Sequence, residues 1–478
     1  MLKLGVVTPY WQESPETLAR CMKTVREQSV NVTHYLIADG RPQSIPESDN
    51  LVHVRLPENI GNSGATPRGL GAQLAFNDGC DAVGFIDADN WLEHDHMQQA
   101  MILMEREKLD VVFARRNIVF PDGEVLEVDD PQDEDHVDTN CYIISRRAAF
   151  LVMVWGMWPK DFGAGEDRVM LHVIRHLKLK SGWMNSKTVW YETNWRVHHD
   201  LAQKVPVQPL RNPTRRASTH FNREHFVSNI GIRMPIKSSP NAMPIVDKPI
   251  GQWKLAVVTA YRGEGEAALR RCIASVAMQG FVVKHYIVSD GANPCPELPQ
   301  QVNVQKLELP GFRNDHGATA RGLGAMVTFQ LGSDAVIFLD AGGCMERDHV
   351  ASMLEAQEEL QTSLTICSSP AIQSSQESPL EHRLHRREKV NGMMVTIKDA
   401  YLGPMWAQLP QAPNEGLATA LYLRLAMSRG ISARVLEMDS IRCDESIDLN
   451  ERDSVQRFGV SKELVFSRMG LRAVAKRN

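Results

Sequence analysis

A gapless internal repeat constrains this chain more than any other feature. Lys3–Gly40 and Lys254–Gly291 align with 17 of 38 positions identical, and Gly64–Asp87 and Gly317–Asp340 with 15 of 24. Identity at that level over dispersed positions implies one fold used twice, each copy burying its own core. A length of 478 residues agrees, since it exceeds one ordinary domain. The first copy is expected over residues 1–237 and the second over 251–478. Between them, 238–250 reads as a stiff linker with prolines at 240, 244 and 249.

Apolar periodicity gives the first copy an α/β pattern. Leu4–Thr8, His34–Ala38, Leu51–Leu56, Ala82–Asp87 and Val111–Ala114 read as strands, the first ended by Pro9-Tyr10. Pro15–Gln28, a segment from Gly64 to about Asp78, Glu93–Arg106 and Val169–Leu177 read as helices between or after them. Strands alternating with helices predict a mostly parallel mixed sheet flanked by helices, in each of the two copies.

The chemistry is expected at the strand Ala82–Asp87. Ligands bind beyond the carboxyl ends of such strands, where Asp87 and Asp89 emerge. Two carboxylates there are hard oxygen ligands suited to Mg²⁺ or Mn²⁺ carrying a diphosphate. The plainer reading is that they only cap the next helix. Arg68 stands near a helix N-terminus, where a guanidinium suits a diphosphate. Glu166 and Asp167 open a helix, either as caps or as a general base in a cleft.

Other features read as structure. His172 and His176 are spaced i, i+4 but lack the Glu of a zinc helix, so they read as packing or surface groups. Trp155 and Trp158 read as core, with an acceptor-stacking role as the alternative. The acidic run at Asp129, Asp130, Asp133, Glu134 and Asp135 reads as a solvated loop. The eight cysteines form no Cys-x-x-Cys pair and read as reduced thiols. A net charge of −5 excludes a general attraction to nucleic acid or anionic membrane. No apolar run reaches the length of a membrane span, and the N-terminus enters a strand directly, so a cytoplasmic protein is expected.

The order of these motifs resembles glycosyltransferase family 2, nucleotide-sugar enzymes of the GT-A fold, over about residues 1–200. The features carrying it are Val-Val-Thr-Pro-Tyr on the first strand, Ala38-Asp39-Gly40 on the second and the Gly64/Arg68/Gly71 loop. Asp87-Ala88-Asp89, Glu166-Asp167 and a late histidine follow. The resemblance implies two tandem GT-A-like, Rossmann-like domains. It implies inverting transfer from a nucleotide diphosphate sugar, usually UDP-linked, to a hydroxyl of a glycan or other acceptor, helped by Mn²⁺ or Mg²⁺. Carried over, Thr8, Pro9 and Tyr10 would line the nucleotide, Asp39 would bond the base edge and Arg68 would reach the nucleotide. Asp87 would face the ribose, Asp89 and His198 (or His199) would hold the metal, and Asp167 would be the base.

The second copy keeps Asp290, Arg321 and Asp340 but has Gly342-Gly343 where the first has Asp89-Asn90. Gly165-Glu166-Asp167 becomes Asn414-Glu415-Gly416, and the late histidine has no counterpart. This copy is therefore expected to be non-catalytic. The alternatives are a nucleotidyltransferase, which Pro9-Tyr10-Trp11-Gln12-Glu13 disfavours because it is not a Gly-rich basic loop, and a non-catalytic nucleotide-sugar or glycan-binding protein. Homo-oligomer formation is compatible with either.

Overall fold

The computed structural model describes residues 2–127, 136–160, 165–206, 210, 249–291, 295–297, 303–360, 364–368, 390–396, 400–409, 418, 419, 422, 423, 426, 433–437 and 441–443. The acidic run at 129–135, most of the linker 238–250, and Asn414, Glu415 and Gly416 lie outside them. The described residues fall into two units, one up to 210 and one from 249.

The first unit begins with β1 (Leu4–Tyr10), α1 (Pro15–Arg26), β2 (Val32–Ala38), β3 (Leu51–Arg55) and α2 (Ala65–Asn77). It continues with β4 (Ala82–Phe85), β5 (Trp91–Leu92), α3 (His96–Glu107), β6 (Val111–Val119) and β7 (Val125–Leu126). β8 (Tyr142–Ser145), α4 (Met153–Gly156), α5 (Glu166–His176), β9 (Ser181–Glu192) and α6 (Arg196–Leu201) complete it. The sheet order is β3-β2-β1-β4-β8-β6-β9-β5, with β7 paired to β6. β3, β2, β1 and β4 run parallel, and β8 enters antiparallel between β4 and β6.

β1 is central and all seven of its residues are buried, which suits an apolar run covered on both faces. Pro9-Tyr10 does not end it. Register with β4 stops at Val7↔Phe85, and alternation aims the nitrogen of Pro9 to that same side, beyond the end of β4. Its missing N–H therefore costs no ladder bond. α1 starts where Ser14 accepts from the Thr17 N–H at 3.2 Å with Pro15 in the first turn, both favoured there. The helix expected at Glu93 begins three residues later. Trp91 and Leu92 instead form β5 against Trp190 and Val189, with the two indoles stacked at 5.9 Å.

α2 is buried from Ala65 through Phe76, so it lies inside the unit. It needs glycine in two ways. Gly64 takes a left-handed φ of 75° at the helix start, and a Cβ at Gly69 would lie 2.2 Å from the backbone nitrogen of Gly156. That close seam between α2 and α4 positions Arg68.

The second unit contains β10 (Leu255–Tyr261), α7 (Glu266–Ala277), β11 (Val283–Asp290), β12 (Val304–Leu309), α8 (Ala318–Gln330) and β13 (Ala335–Asp340). β14 (Gly343–Met345), α9 (His349–Leu360), β15 (Leu364–Ser368), β16 (Val390–Thr396), α10 (Leu402–Met405), β17 (Ala433–Glu437) and β18 (Ile441–Cys443) follow. Its main sheet runs β12-β11-β10-β13-β16-β15-β17, the first four strands parallel. Both units are thus mostly parallel mixed sheets flanked by helices, as expected. A shared interior detail marks them: Thr8 bonds His34 at 2.8 Å, and Thr259 bonds His285 at 2.8 Å. No helix among the described residues is long and apolar enough to cross a membrane.

Candidate active site in the first unit

The site grows outward from the end of β4. Ile86 still donates its N–H to the Val7 carbonyl at 3.0 Å, and the chain then leaves the sheet at Asp87. Asp87 is held on two sides. Arg68 donates to its Oδ1 through Nη2 and through Nε at 3.2 Å, and Asn140 donates Nδ2 to its Oδ2 at 3.1 Å. Asn140 also accepts the Asp87 backbone N–H. Asn140 is itself fixed by Asp138, whose Oδ1 accepts from Asn140 N–H at 2.9 Å and from Nδ2 at 2.6 Å. Arg116 on β6 donates to the other Asp138 oxygen and lies 4.7 Å over the Tyr191 ring. Burial alone would raise the Asp138 carboxyl, but Arg116 and the Asn140 bonds hold it below the usual range.

Arg68 also joins the second acidic motif. Its Nη1 donates to the Ser63 carbonyl at 3.0 Å and lies 3.8 Å from Oε1 of Glu166, at the start of α5. Glu166 is buried, and burial together with the Asp167 charge pushes its carboxyl up to about 7 against the pull of Arg68. Asp167 keeps more exposure. Its Oδ2 lies 2.7 Å from Nε2 of His136, its Oδ1 accepts the Arg168 N–H at 2.6 Å, and Tyr142 donates its hydroxyl to the Asp167 carbonyl at 3.0 Å.

The strand β9 closes the other flank. Glu192 donates its N–H to Oδ1 of Asn90 at 2.8 Å, which puts the end of β9 beside the Asp87–Asn90 turn. Arg20 on α1 ties the same two segments, donating to the Asp89 carbonyl at 2.7 Å and to Glu192 at 2.9 Å. Beyond Glu192, Thr193 pairs with Nδ1 of His198 at 2.6 Å. Neither Asp87 nor Asp89 caps α3, whose N-cap residue is Asp95.

Several residues expected at the nucleotide also make contacts within the fold. Thr8 is fully buried and spends its hydroxyl on His34; Pro9 is buried against Gly64; Tyr10 is buried and bonds His53 at 2.8 Å and the Gln43 N–H at 2.9 Å. The side-chain oxygens of Thr8 and Tyr10 are thus already paired within the fold. Arg68 is buried and engaged by its carboxylate partners. Asp39 is 4% exposed and accepts from Asn59 at 3.0 Å, Ile60 N–H at 2.8 Å and Gly61 N–H at 3.2 Å, so it first of all clamps that loop. Its carboxyl is raised, by burial ahead of the opposing backbone bonds. His199 packs edge-on against Phe120 at 4.8 Å and is buried, leaving His198 as the half-exposed imidazole. Trp155 and Trp158 are core.

Sequence reasoning misses Arg116, His136, Asp138, Asn140 and Arg20. Arg20 reaches the site from α1, and the other four through the antiparallel insertion of β8 between β4 and β6, which no local pattern announces. Among the described residues, no three His, Cys, Asp or Glu side chains form a metal-holding group.

The second unit treats the matching positions differently. Arg321 still pairs with Asp340, whose side chain is 42% exposed against 25% for Asp87. Asp290 is instead buried in an ion pair with Arg313 at 3.1 Å. Burial and Asp315 push its carboxyl up to about 6, with Arg313 opposing. Gly343 starts β14, which pairs with β18.

Residues 5–130 match the family model Glycosyl transferase family 2. A curated relative, the succinoglycan biosynthesis protein ExoW of Rhizobium meliloti (strain 1021), is 32% identical over 124 residues, 24% of this chain. The chain spans 38% of that relative's length. Solved structures of S. aureus TarS 1-349, alone and in complex with UDP-GlcNAc, are 14% identical with a TM-score of 0.31. They overlap 40% and 42% of this chain and 60% and 61% of their own.

Proposed function

Taking residues 5–130 as a glycosyl transferase family 2 region, we propose that the first unit transfers a sugar from a UDP-linked donor to an acceptor hydroxyl with inversion. The observation that carries this is the position of Arg68. One buried guanidinium gathers Asp87 from the end of β4 and Glu166 from the start of α5, so the two acidic motifs face one site.

In this reading Asp167 is the base. It lies in the first turn of α5, next to the buried Glu166 and partly exposed toward the site. The acceptor O–H bond breaks as its proton passes to Asp167. The oxygen's electron pair forms the bond to the anomeric carbon as the bond from that carbon to the diphosphate oxygen breaks, and the diphosphate leaves with that bond's electron pair. Asp87, oriented by Arg68 and Asn140 and still partly exposed, accepts from a ribose hydroxyl. Asp39 holds the 59–61 loop beside the base and offers its remaining lone pair.

A Mg²⁺ or Mn²⁺ held by Asp89 and His198 would neutralise charge on the departing diphosphate. The donor set fits: such ions use one or two protein ligands plus substrate phosphates and water, so no three-residue cage is needed. The Thr193 bond to Nδ1 also orients His198 as a ligating imidazole requires. The second unit is non-catalytic in this reading, since its Asp290 is occupied by Arg313 and it has glycine in place of Asp89.

The test pairs two variants with calorimetric titration of UDP in the presence of Mn²⁺. Asp167→Asn should bind UDP as the parent does while transfer drops roughly 10²–10⁴-fold. Asp89→Ala should lose the Mn²⁺-dependent part of UDP binding. Parallel loss of binding and turnover in Asp167→Asn would make that residue a helix cap and remove the reading.

A further inference from the structure

We propose that His136 is the positioning residue of the base: its neutral ring aims the Asp167 carboxylate at the acceptor, and its imidazolium form switches that base off. This rests on Asp167 being the base.

The geometry is specific. Oδ2 of an ionised carboxylate only accepts, so Nε2 of His136, at 2.7 Å, must carry the hydrogen between them. The Arg168 N–H occupies one side of Oδ1 at 2.6 Å, and the Tyr142 hydroxyl anchors the backbone carbonyl of Asp167 at 3.0 Å. With one donor on each oxygen the carboxylate cannot rotate freely, yet each oxygen keeps a lone pair for an incoming hydroxyl. His136 and Asp167 side chains are 29% and 18% exposed, so the pair is open to an acceptor without being loosely solvated.

A second proton can enter the ring only at Nδ1. It places a full positive charge hydrogen-bonded to the base, which lowers the proton affinity of the carboxylate and with it the rate of proton abstraction. Among the described residues, the charged groups around His136 are Asp167 with Glu166 beside it on α5, Asp138 two residues on, and Arg116 on β6. Burial and Arg116 disfavour the imidazolium. The bond to Asp167 and the charges of Asp167 and Asp138 outweigh them, so the ring titrates above its ordinary 6.5. The sign follows: the base is competent above that titration and is lost as pH falls through it.

Two measurements on the full chain test this. With ¹⁵N-histidine labelling and no ligand, neutral His136 should be the Nε2–H tautomer, with a midpoint above 6.5 that falls in Asp167→Asn. A neutral ring protonated at Nδ1, or a midpoint unmoved by Asp167→Asn, overturns the proposal. The second measurement is the pH profile of kcat for hydrolysis of UDP-glucose with Mn²⁺. His136→Gln keeps an N–H for Oδ2 but cannot titrate, so its acidic limb should move to lower pH with donor KM unchanged. An unshifted limb in His136→Gln, alongside an inactive Asp167→Asn, overturns this inference alone. An active Asp167→Asn overturns the assignment of the base beneath it.

Discussion

Arg68 shows why a residue's type can be legible while its direction is not. The sequence places a guanidinium near a helix start, and a diphosphate is the natural partner to expect there. The structure turns it inward, because α2 is buried on every side and two carboxylates converge on it. Removing it leaves Asp87 and Glu166 without their shared counter-charge in a largely desolvated place. Arg68→Ala should cost roughly 3–5 kcal/mol, the usual range for breaking a buried pair. Arg68→Lys should cost less but still measurably, since an ammonium cannot fork across Asp87 and reach Ser63 together. Urea unfolding with a transition unchanged in Arg68→Ala would show that the pair contributes nothing net.

At the level of elements, the strands and α2 were readable because their signals are local: apolar runs for β1, β2 and β4, and the Gly64–Gly71 spacing for α2. The Asp138–Asn140 support for Asp87 was not, because it depends on β8 pairing antiparallel with β4 across a long stretch of chain. Nor was the fate of Thr8, which looks like a ligand-facing strand end until β2 supplies His34. That pair makes a prediction about β1 and β2. Burial pushes His34 down to about 3 from 6.5, and His285 likewise in the second unit. A lowered folded value means the unfolded chain binds the proton first. The stability contributed is complete above 6.5 and is lost as pH falls toward 3, on the order of 3 kcal/mol per imidazole by about pH 4. His34→Gln can still bond Thr8 but cannot titrate. The parent should therefore lose stability between neutral pH and about pH 4 that this variant keeps. Parallel urea midpoints for the two proteins across that range would contradict the buried neutral imidazole.

Over the whole chain, the two units share strand order and interior bonds and differ at the strand ends where chemistry is expected. The helix seams limit which substitutions either unit tolerates. A Cβ at Gly69 would lie 2.2 Å from the Gly156 nitrogen, and one at Gly322 would lie 2.3 Å from the Ala407 nitrogen. These contacts are backbone against side chain, so no rotamer relieves them. Saturation mutagenesis scored separately for folding and for transfer should then give two superimposed maps. For folding, Gly69 and Gly322 should be equally intolerant, even to alanine. For transfer at preserved folding, intolerance should cluster at Asp87, Asp89 and Asp167 and leave Asp340 and Gly342 nearly silent. A lineage carrying this chain would be free to rewrite the second unit's strand ends into a different binding surface, provided it never fills the two helix seams.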